Sequence, residues 1–302
     1  LEQSGEAPVL IFLKRLVKFN LIPFVVLTAV AGYWLGFRIE YSFEWTHFLG
    51  LIFGVMLISA GSFALNQVQE YQLDRLMPRT QARPIAAGEL SPRQGLIVSV
   101  SLMSCGSLIL FWIQPLSALL GLLTIFCYNG LYTVVWKPRW IFAAIPGAIP
   151  GAMPVVIGYS ANSPQIFTRE CVYAFLVMFM WQMPHFWALA LKYKEDYRKG
   201  NIPTLPVAMS DSRTLYFIGI YMLVYVALAV ISPWIIDSGW LYLLVVLPFS
   251  IKVLLEFVKF FRAKGREGWL SFFLWTNFSM LAFLFVPILD RWLEIFLEMR
   301  NQ

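Results

Sequence analysis

A chain of 302 residues that is 59% hydrophobic, 17% aromatic and only 13% charged does not have a soluble domain's composition. Soluble domains carry about 25% charged residues, and a mean hydropathy of +0.69 is explained by burial in lipid. The formal charge of +6 is no nucleic-acid footprint, because basic residues in a membrane protein report which side a loop faces. Cys105, Cys127 and Cys171 form no CxxC, which leaves structural zinc, a thioredoxin-like site and a planned disulfide unsupported. They read as small buried hydrophobes.

In chain order, Glu2 and Glu6 argue against a basic signal region or transit peptide at the start of the sequence. Nine apolar runs of bilayer length follow: 21–37, 48–65, 95–113, 116–135, 141–159, 170–191, 215–236, 239–258 and 269–289. The fifth, IFAAIPGAIPGAMPVVIGY, interleaves proline with glycine, so a kink and close helix approach are expected there. Nineteen of the 23 Lys and Arg fall in the N-terminal segment (Lys14, Arg15, Lys18) and every second connection; Arg38, Arg169, Arg291 and Arg300 lie on the other side. Basic loops stay cytoplasmic, which predicts an inside N-terminus over 1–19 and an outside C-terminus. The expected fold is a single all-α integral membrane domain over 1–302. It comprises nine transmembrane helices, as two four-helix-like units plus a ninth helix, around a central cavity.

Two polar segments interrupt this pattern on the cytoplasmic side. The first is NQVQEYQLDRLMPRTQARP, residues 66–84. Asn66, Glu70 and Asp74 recur every four residues, so their oxygens share one helical face. Oxygen donors suit a hard cation such as magnesium bridging to substrate phosphates. Pro78 disfavours helix at Met77, which would fold Arg79 and Arg83 back to the same mouth as phosphate ligands. A plainer reading is a solvated helix end whose acids pair with Arg75 and Arg79.

The second segment is FMWQMPHFWALALKYKEDYRKGNIPTLP, residues 179–206. His185, Lys192 and Asp196, at i, i+7 and i+11, share a single helical face, with His185 about 10 Å deeper than Lys192. A histidine at that depth is a functional candidate, as an iron ligand or a polar contact to an aromatic ligand. Its plainer reading is a neutral core histidine bonded to Gln182 or a backbone carbonyl. His47 belongs to the opposite interface, so a permanent bis-histidine haem is not supported. Lys192, Lys194, Arg198 and Lys199 add positive charge beside Glu195 and Asp196. Two acidic-plus-basic patches above a greasy slot suit an isoprenyl diphosphate reacting with a lipid-soluble acceptor. Metal and cations would stabilise the leaving diphosphate, while an aromatic pocket would shield an allylic cation.

At these segments the chain resembles the UbiA-type intramembrane prenyltransferases, with an Asn-x-x-x-Asp-x-x-x-Asp motif after the second helix and an acidic motif after the sixth. It is most similar to their haem-farnesylating branch, through the first segment, YTVVWK at 132–137, PGAIPGAMPVVIG at 146–158, WQMPHFWA at 181–188, DY at 196–197 and IPTLP at 202–206. The resemblance, over about residues 20–290, implies magnesium at Asn66, Glu70, Asp74 and Asp196 as the catalytic set. It implies diphosphate contacts from Arg79, Arg83 and Lys137, and a haem-binding role for His185. Glu70 replaces the family's aspartate, and Lys192 replaces the first acid of the second motif. Lys192, like Arg198, is therefore expected on the diphosphate. The implied reaction joins farnesyl diphosphate to haem B in a bacterial inner membrane, with the mitochondrial inner membrane as the other setting. A haem A synthase or oxidase-assembly factor is the implied partner. Two alternatives stay open: a UbiA-type enzyme for an aromatic acid or quinone precursor, and a transporter of an anionic lipid or metabolite. Functional charge at one surface rather than the midplane disfavours transport.

Overall fold

The computed structural model describes residues 8–38, 42–236 and 238–300, and they are helical without a strand. Glu2 and Glu6 lie outside the described residues. The helices are α1 (Pro8–Leu16), α2 (Ile22–Gly36), α3 (Trp45–Asp74), α4 (Pro92–Ile113), α5 (Pro115–Ile125), α6 (Ala144–Ser160), α7 (Arg169–Lys192), α8 (Lys194–Lys199), α9 (Leu205–Ala208), α10 (Asp211–Ile231), α11 (Trp240–Arg262) and α12 (Trp269–Arg300). The stretch Phe126–Trp136 continues α5 as a π-helix.

Among the described residues, eight helices are long and apolar enough to cross a bilayer, and each corresponds to one of the sequence-predicted runs. The exception is the Pro- and Gly-rich fifth run, which forms the shorter apolar helix α6 of 17 residues. Pro150 and Pro154 sit inside it; each proline lacks a backbone donor, which weakens a longer span.

Neighbours in sequence pack as neighbours in space from α2 through to α12, and α12 returns to touch α2. That closure brings the first and last spans together. The chain is inside-out relative to a soluble fold. Phe111 and Trp112 of α4 are 61% and 69% exposed, whereas Asn66, Gln67, Glu70 and Asp74 are buried. In lipid the apolar surface faces outward and polar groups must find partners inside.

α2 and α6 also cross at close range. A Cβ on Gly32 would overlap the Val155 carbonyl, and one on Gly158 the Ala29 carbonyl. Reciprocal glycines let two backbones meet without intervening side chains. At this end of the bundle Asp290, buried on α12, accepts hydrogen bonds from the Gly239 and Tyr242 amides at the start of α11. Unpaired amides of a first helical turn are natural partners for a carboxylate.

Cysteine burial differs from expectation: Cys171 is buried, Cys127 half-buried, and Cys105 exposed on the outer surface of α4. A thiol is apolar enough to face lipid, which the expectation of burial overlooked.

Candidate active site

α3 carries its polar face to its last residue. It ends at Asp74, three residues before the Met77 boundary expected from Pro78. The chain then turns, with the Thr80 hydroxyl donating to the Asp74 carbonyl at 3.0 Å. Arg83 consequently swings back, and its Nη1 donates to both oxygens of Asp74 at 2.8 Å each. Arg75 instead donates to the Ala86 carbonyl at 2.9 Å and lies over Tyr71. The acids of this segment are therefore not a solvated helix end paired with Arg75.

Across from α3 the π-helical stretch supplies three partners in register. Ser62 donates to Asn129 Oδ1 at 2.5 Å, Asn66 to Thr133 Oγ1 at 3.4 Å, and Lys137 Nζ to Glu70 Oε1 at 2.5 Å. Each pair is 67 residues apart. Two helices thus run side by side in the same direction, with a rung every four residues. The Asn129 side chain is further fixed by the Ser62 carbonyl (3.0 Å) and Gln69 Oε1 (3.3 Å), and Gln69 Nε2 donates to the Asn129 carbonyl (3.0 Å). A backbone bond from Lys137 N to Tyr132 O, at 2.8 Å, closes the wider turn. π-Helical turns concentrate at functional sites because they re-aim side chains; here the turn aims Lys137 at Glu70.

Lys18, which its position in the sequence marks only as a topology residue, belongs to this cluster. Its Nζ donates to Asn66 Oδ1 at 2.7 Å. It adopts a left-handed backbone (φ 51°), costing a residue with a Cβ about 1–2 kcal/mol. Gln67 holds the segment by donating to the carbonyls of Arg15 (2.9 Å) and Leu16 (2.7 Å). Burial pushes the Lys18 ammonium down to about 7, with the Arg83 charge as the second cause. The sequence signal was Gln67, a polar residue beside the motif that fits no ligand pattern.

The second polar segment packs onto the first through Met77, which lies among Ala190, Tyr197 and Ile202. A cavity of about 200 Å³ lies between α3 and the end of the π-helical stretch, lined by Gln69, Glu70, Thr133 and Lys137 and reached by Ile202 of the second segment. α7 ends at Lys192, Tyr193 leaves helical geometry (φ −104°, ψ 29°), and Asp196 belongs to the separate α8. Asp196 is therefore not on one continuous face with His185 and Lys192. The break turns Asp196 toward Arg79 Nε, 3.9 Å away. Arg79 in turn lies 5.0 Å from the Tyr193 ring centre and 6.0 Å from that of Tyr197.

Arg198 is not drawn in: it pairs with Glu195 at 2.7 Å, with both side chains more than half exposed. Lys192 makes no ion pair among the described residues; its ammonium sits 3.7 Å from the ring centre of Trp269. His185 is bounded by Trp181 (ring centres 4.5 Å apart) and Phe273 (4.6 Å). Gln182 is committed to the carbonyls of Ala148 (2.9 Å) and Met178 (3.0 Å). His185 Nδ1 and Trp181 Nε1 are both buried without a partner. His47, by contrast, lies half-exposed beside Glu44 at 3.4 Å.

No group of three or more His, Cys, Asp or Glu among the described residues forms a metal cage. Magnesium does not require one, since it is commonly held by one or two carboxylates, waters and substrate phosphates. The buried oxygens of Asn66, Glu70 and Asp74 on one face of α3 fit that donor chemistry.

Comparison with known proteins decides the lineage. The model of the UbiA prenyltransferase family matches residues 25–282. The chain belongs to that family. A protoheme IX farnesyltransferase of Bdellovibrio bacteriovorus is 48% identical over 94% of this chain and 97% of its own length. One of Aquifex aeolicus is 35% identical over 89% and 91%. Among solved UbiA-type folds, a digeranylgeranylglyceryl phosphate synthase structure superposes with a TM-score of 0.75 at 15% identity, covering 93% of this chain and 98% of that one. A UbiA homologue from Archaeoglobus fulgidus, bound to GPP and Mg2+, does so at 0.65 and 16%, covering 91% and 99%. The all-helical UbiA fold and the membrane-embedded, multi-pass character of the chain agree with the sequence expectation.

Proposed function

We propose that this protein is a protoheme IX farnesyltransferase, moving the farnesyl group of farnesyl diphosphate onto a vinyl group of haem B to form haem O. The supporting observation is the buried ladder at the polar end of α3. Three oxygen-bearing side chains stand on one face, held by Lys18, Lys137 and Arg83. Relatives named for this reaction align along nearly the whole chain.

Arg83, Lys137 and Arg79 bind the diphosphate and stabilise the charge that grows as the C1–O bond breaks. Asn66, Glu70, Asp74 and Asp196 hold magnesium, which when bound neutralises the leaving diphosphate; a relative of this fold is described as bound to GPP and Mg2+. The vinyl electron pair forms the new bond to farnesyl C1. The carbocation left beside the porphyrin is captured by water, which loses a proton and becomes the hydroxyl. Diphosphate and a proton are released. Aromatic rings around His185 keep bulk water from the allylic centre.

The setting we propose is a bacterial inner membrane. The chain there forms one domain of nine spans, α6 included, with the N-terminus and both polar segments in the cytoplasm. Haem A synthase, or an oxidase in assembly, is the proposed recipient of the product. The test is mass spectrometry of the purified protein in detergent with magnesium, farnesyl diphosphate and either haem B or 4-hydroxybenzoate. Farnesylated haem is expected; a prenylated benzoate alone would replace haem with an aromatic acid as acceptor.

A further inference from the structure

The carboxylates of the two polar segments already face cations. Glu70 is on Lys137, Asp74 on Arg83, Asp196 faces Arg79 and Glu195 is on Arg198. Lys192 is different: it makes no ion pair among the described residues, and its ammonium is parked over an indole. That indole is fixed, since Trp269 Nε1 donates to the Ala188 carbonyl at 2.8 Å. Trp269 also begins a column of rings along the α7–α12 seam. It stacks on Phe273 (4.8 Å, 19° between planes), Phe273 lies against His185 (4.6 Å), and His185 against Trp181 (4.5 Å).

This column has a polarity. Its outer end carries a positive charge without an anion, while its inner end carries two buried donors or acceptors without partners, His185 Nδ1 and Trp181 Nε1. Lys192 and His185 are seven residues apart on one helical face, about 10 Å along the axis. The chemistry of this column, aromatic faces between a cation and unpartnered polar atoms, matches a flat aromatic molecule with an anionic edge, and protohaem has this form. Its two propionates occupy one edge of the macrocycle and its vinyl groups the other.

We infer that Lys192 binds a propionate carboxylate of the haem acceptor, and does not serve the diphosphate. The inference rests on the proposed haem farnesylation. It also accounts for orientation. Holding the carboxylate edge at the polar end turns the vinyl edge inward, to the depth of His185, where an allylic carbon below the diphosphate would lie. The basic residue in place of the family's acid then gives the acceptor's carboxylate edge a partner at the polar end. Trp269 acts as the positioning residue for Lys192, because an ammonium over an aromatic face is held without being neutralised.

The test titrates haem B, by its Soret absorption, into the full-length detergent-solubilised wild type, Lys192→Gln and Lys192→Arg. Iron protoporphyrin dimethyl ester, which lacks the carboxylates, is titrated alongside, and farnesyl diphosphate affinity is measured separately. Lys192→Gln should weaken haem binding about tenfold, the loss of one charge-assisted hydrogen bond, and Lys192→Arg should restore most of it. Wild type should bind the ester about tenfold more weakly than haem, and Lys192→Gln should not discriminate between them, because charge and partner form one pair. Losses that multiply when ester and variant are combined, or a variant that weakens only farnesyl diphosphate, would overturn the assignment. The two readings fail separately. Lys192-dependent haem binding with no farnesylated product sinks the reaction and leaves the subsite standing. Product formation with haem binding indifferent to Lys192 does the reverse.

Discussion

The two polar segments each sit at the end of a long apolar helix, α3 for the first and α7 for the second, yet they are built differently. In the first, the acids are buried and each faces a cation at hydrogen-bond distance: Glu70 meets Lys137 at 2.5 Å and Asp74 meets Arg83 at 2.8 Å. In the second, the ion contact that reaches the site is 3.9 Å, between Arg79 and Asp196, and Arg79 and Lys192 rest on aromatic rings. A buried ion pair loses much of its value when one partner is removed, because the other stays charged and unsolvated. A partly exposed pair does not. The first segment is thus preorganised for charge, and the second for fitting flat or mobile ligands against it.

Substitutions that break this contrast should rank accordingly. Asp74→Asn, which keeps the side-chain shape but frees Arg83, should lower turnover by roughly 10²-fold or more. Its helical content by circular dichroism should be unchanged. Near-wild-type product formation would remove Asp74 from the reaction. Lys137→Met should come next, with the loss appearing mainly as weaker farnesyl diphosphate binding, on the order of 10-fold. An unaltered affinity for that substrate would mean that Lys137 serves only to neutralise Glu70. Asp196→Asn should cost about tenfold or less in kcat/KM, because the amide keeps one oxygen for magnesium and the Arg79 contact, at 3.9 Å, is loose. If its loss equals that of Asp74→Asn, the two segments are equivalent and the contrast drawn here is wrong. Arg198→Ala should change turnover and thermal midpoint little, because its partner Glu195 is a surface group; a tenfold effect would place Arg198 on the substrate.

How much of this was legible in the residues follows from the range of the interactions. Hydrophobic runs located eight bilayer-length helices because lipid imposes length and polarity locally. The face shared by Asn66, Glu70 and Asp74 was legible for the same reason, as helical periodicity is local. The register between α3 and the π-helix was not. It depends on a non-α turn between Phe126 and Trp136, whose sequence reads as an ordinary apolar helix. Lys18 went unassigned because its role comes from a left-handed residue docked by Gln67, and charge counting cannot see that. The break at Tyr193 was hidden by a sequence whose spacing fits a continuous helix. The ring against His185 comes from Phe273 on α12, far along the chain, which no spacing rule supplies. His185→Ala offers a check on that last contact: haem binding should weaken while farnesyl diphosphate binding is retained. Loss of both would show that the histidine only packs.

The rungs at 62/129, 66/133 and 70/137 give the π-helical stretch a gauge function. Asn129 is clamped at one end, and Lys137 is delivered at the other, so the number of residues between them sets the angle of the ammonium. Removing one residue between them would break the four-residue spacing of the rungs, which places Lys137 opposite Glu70. Point substitutions along the outer face would leave that angle intact. This part of the chain should therefore tolerate changes of letter far better than changes of length.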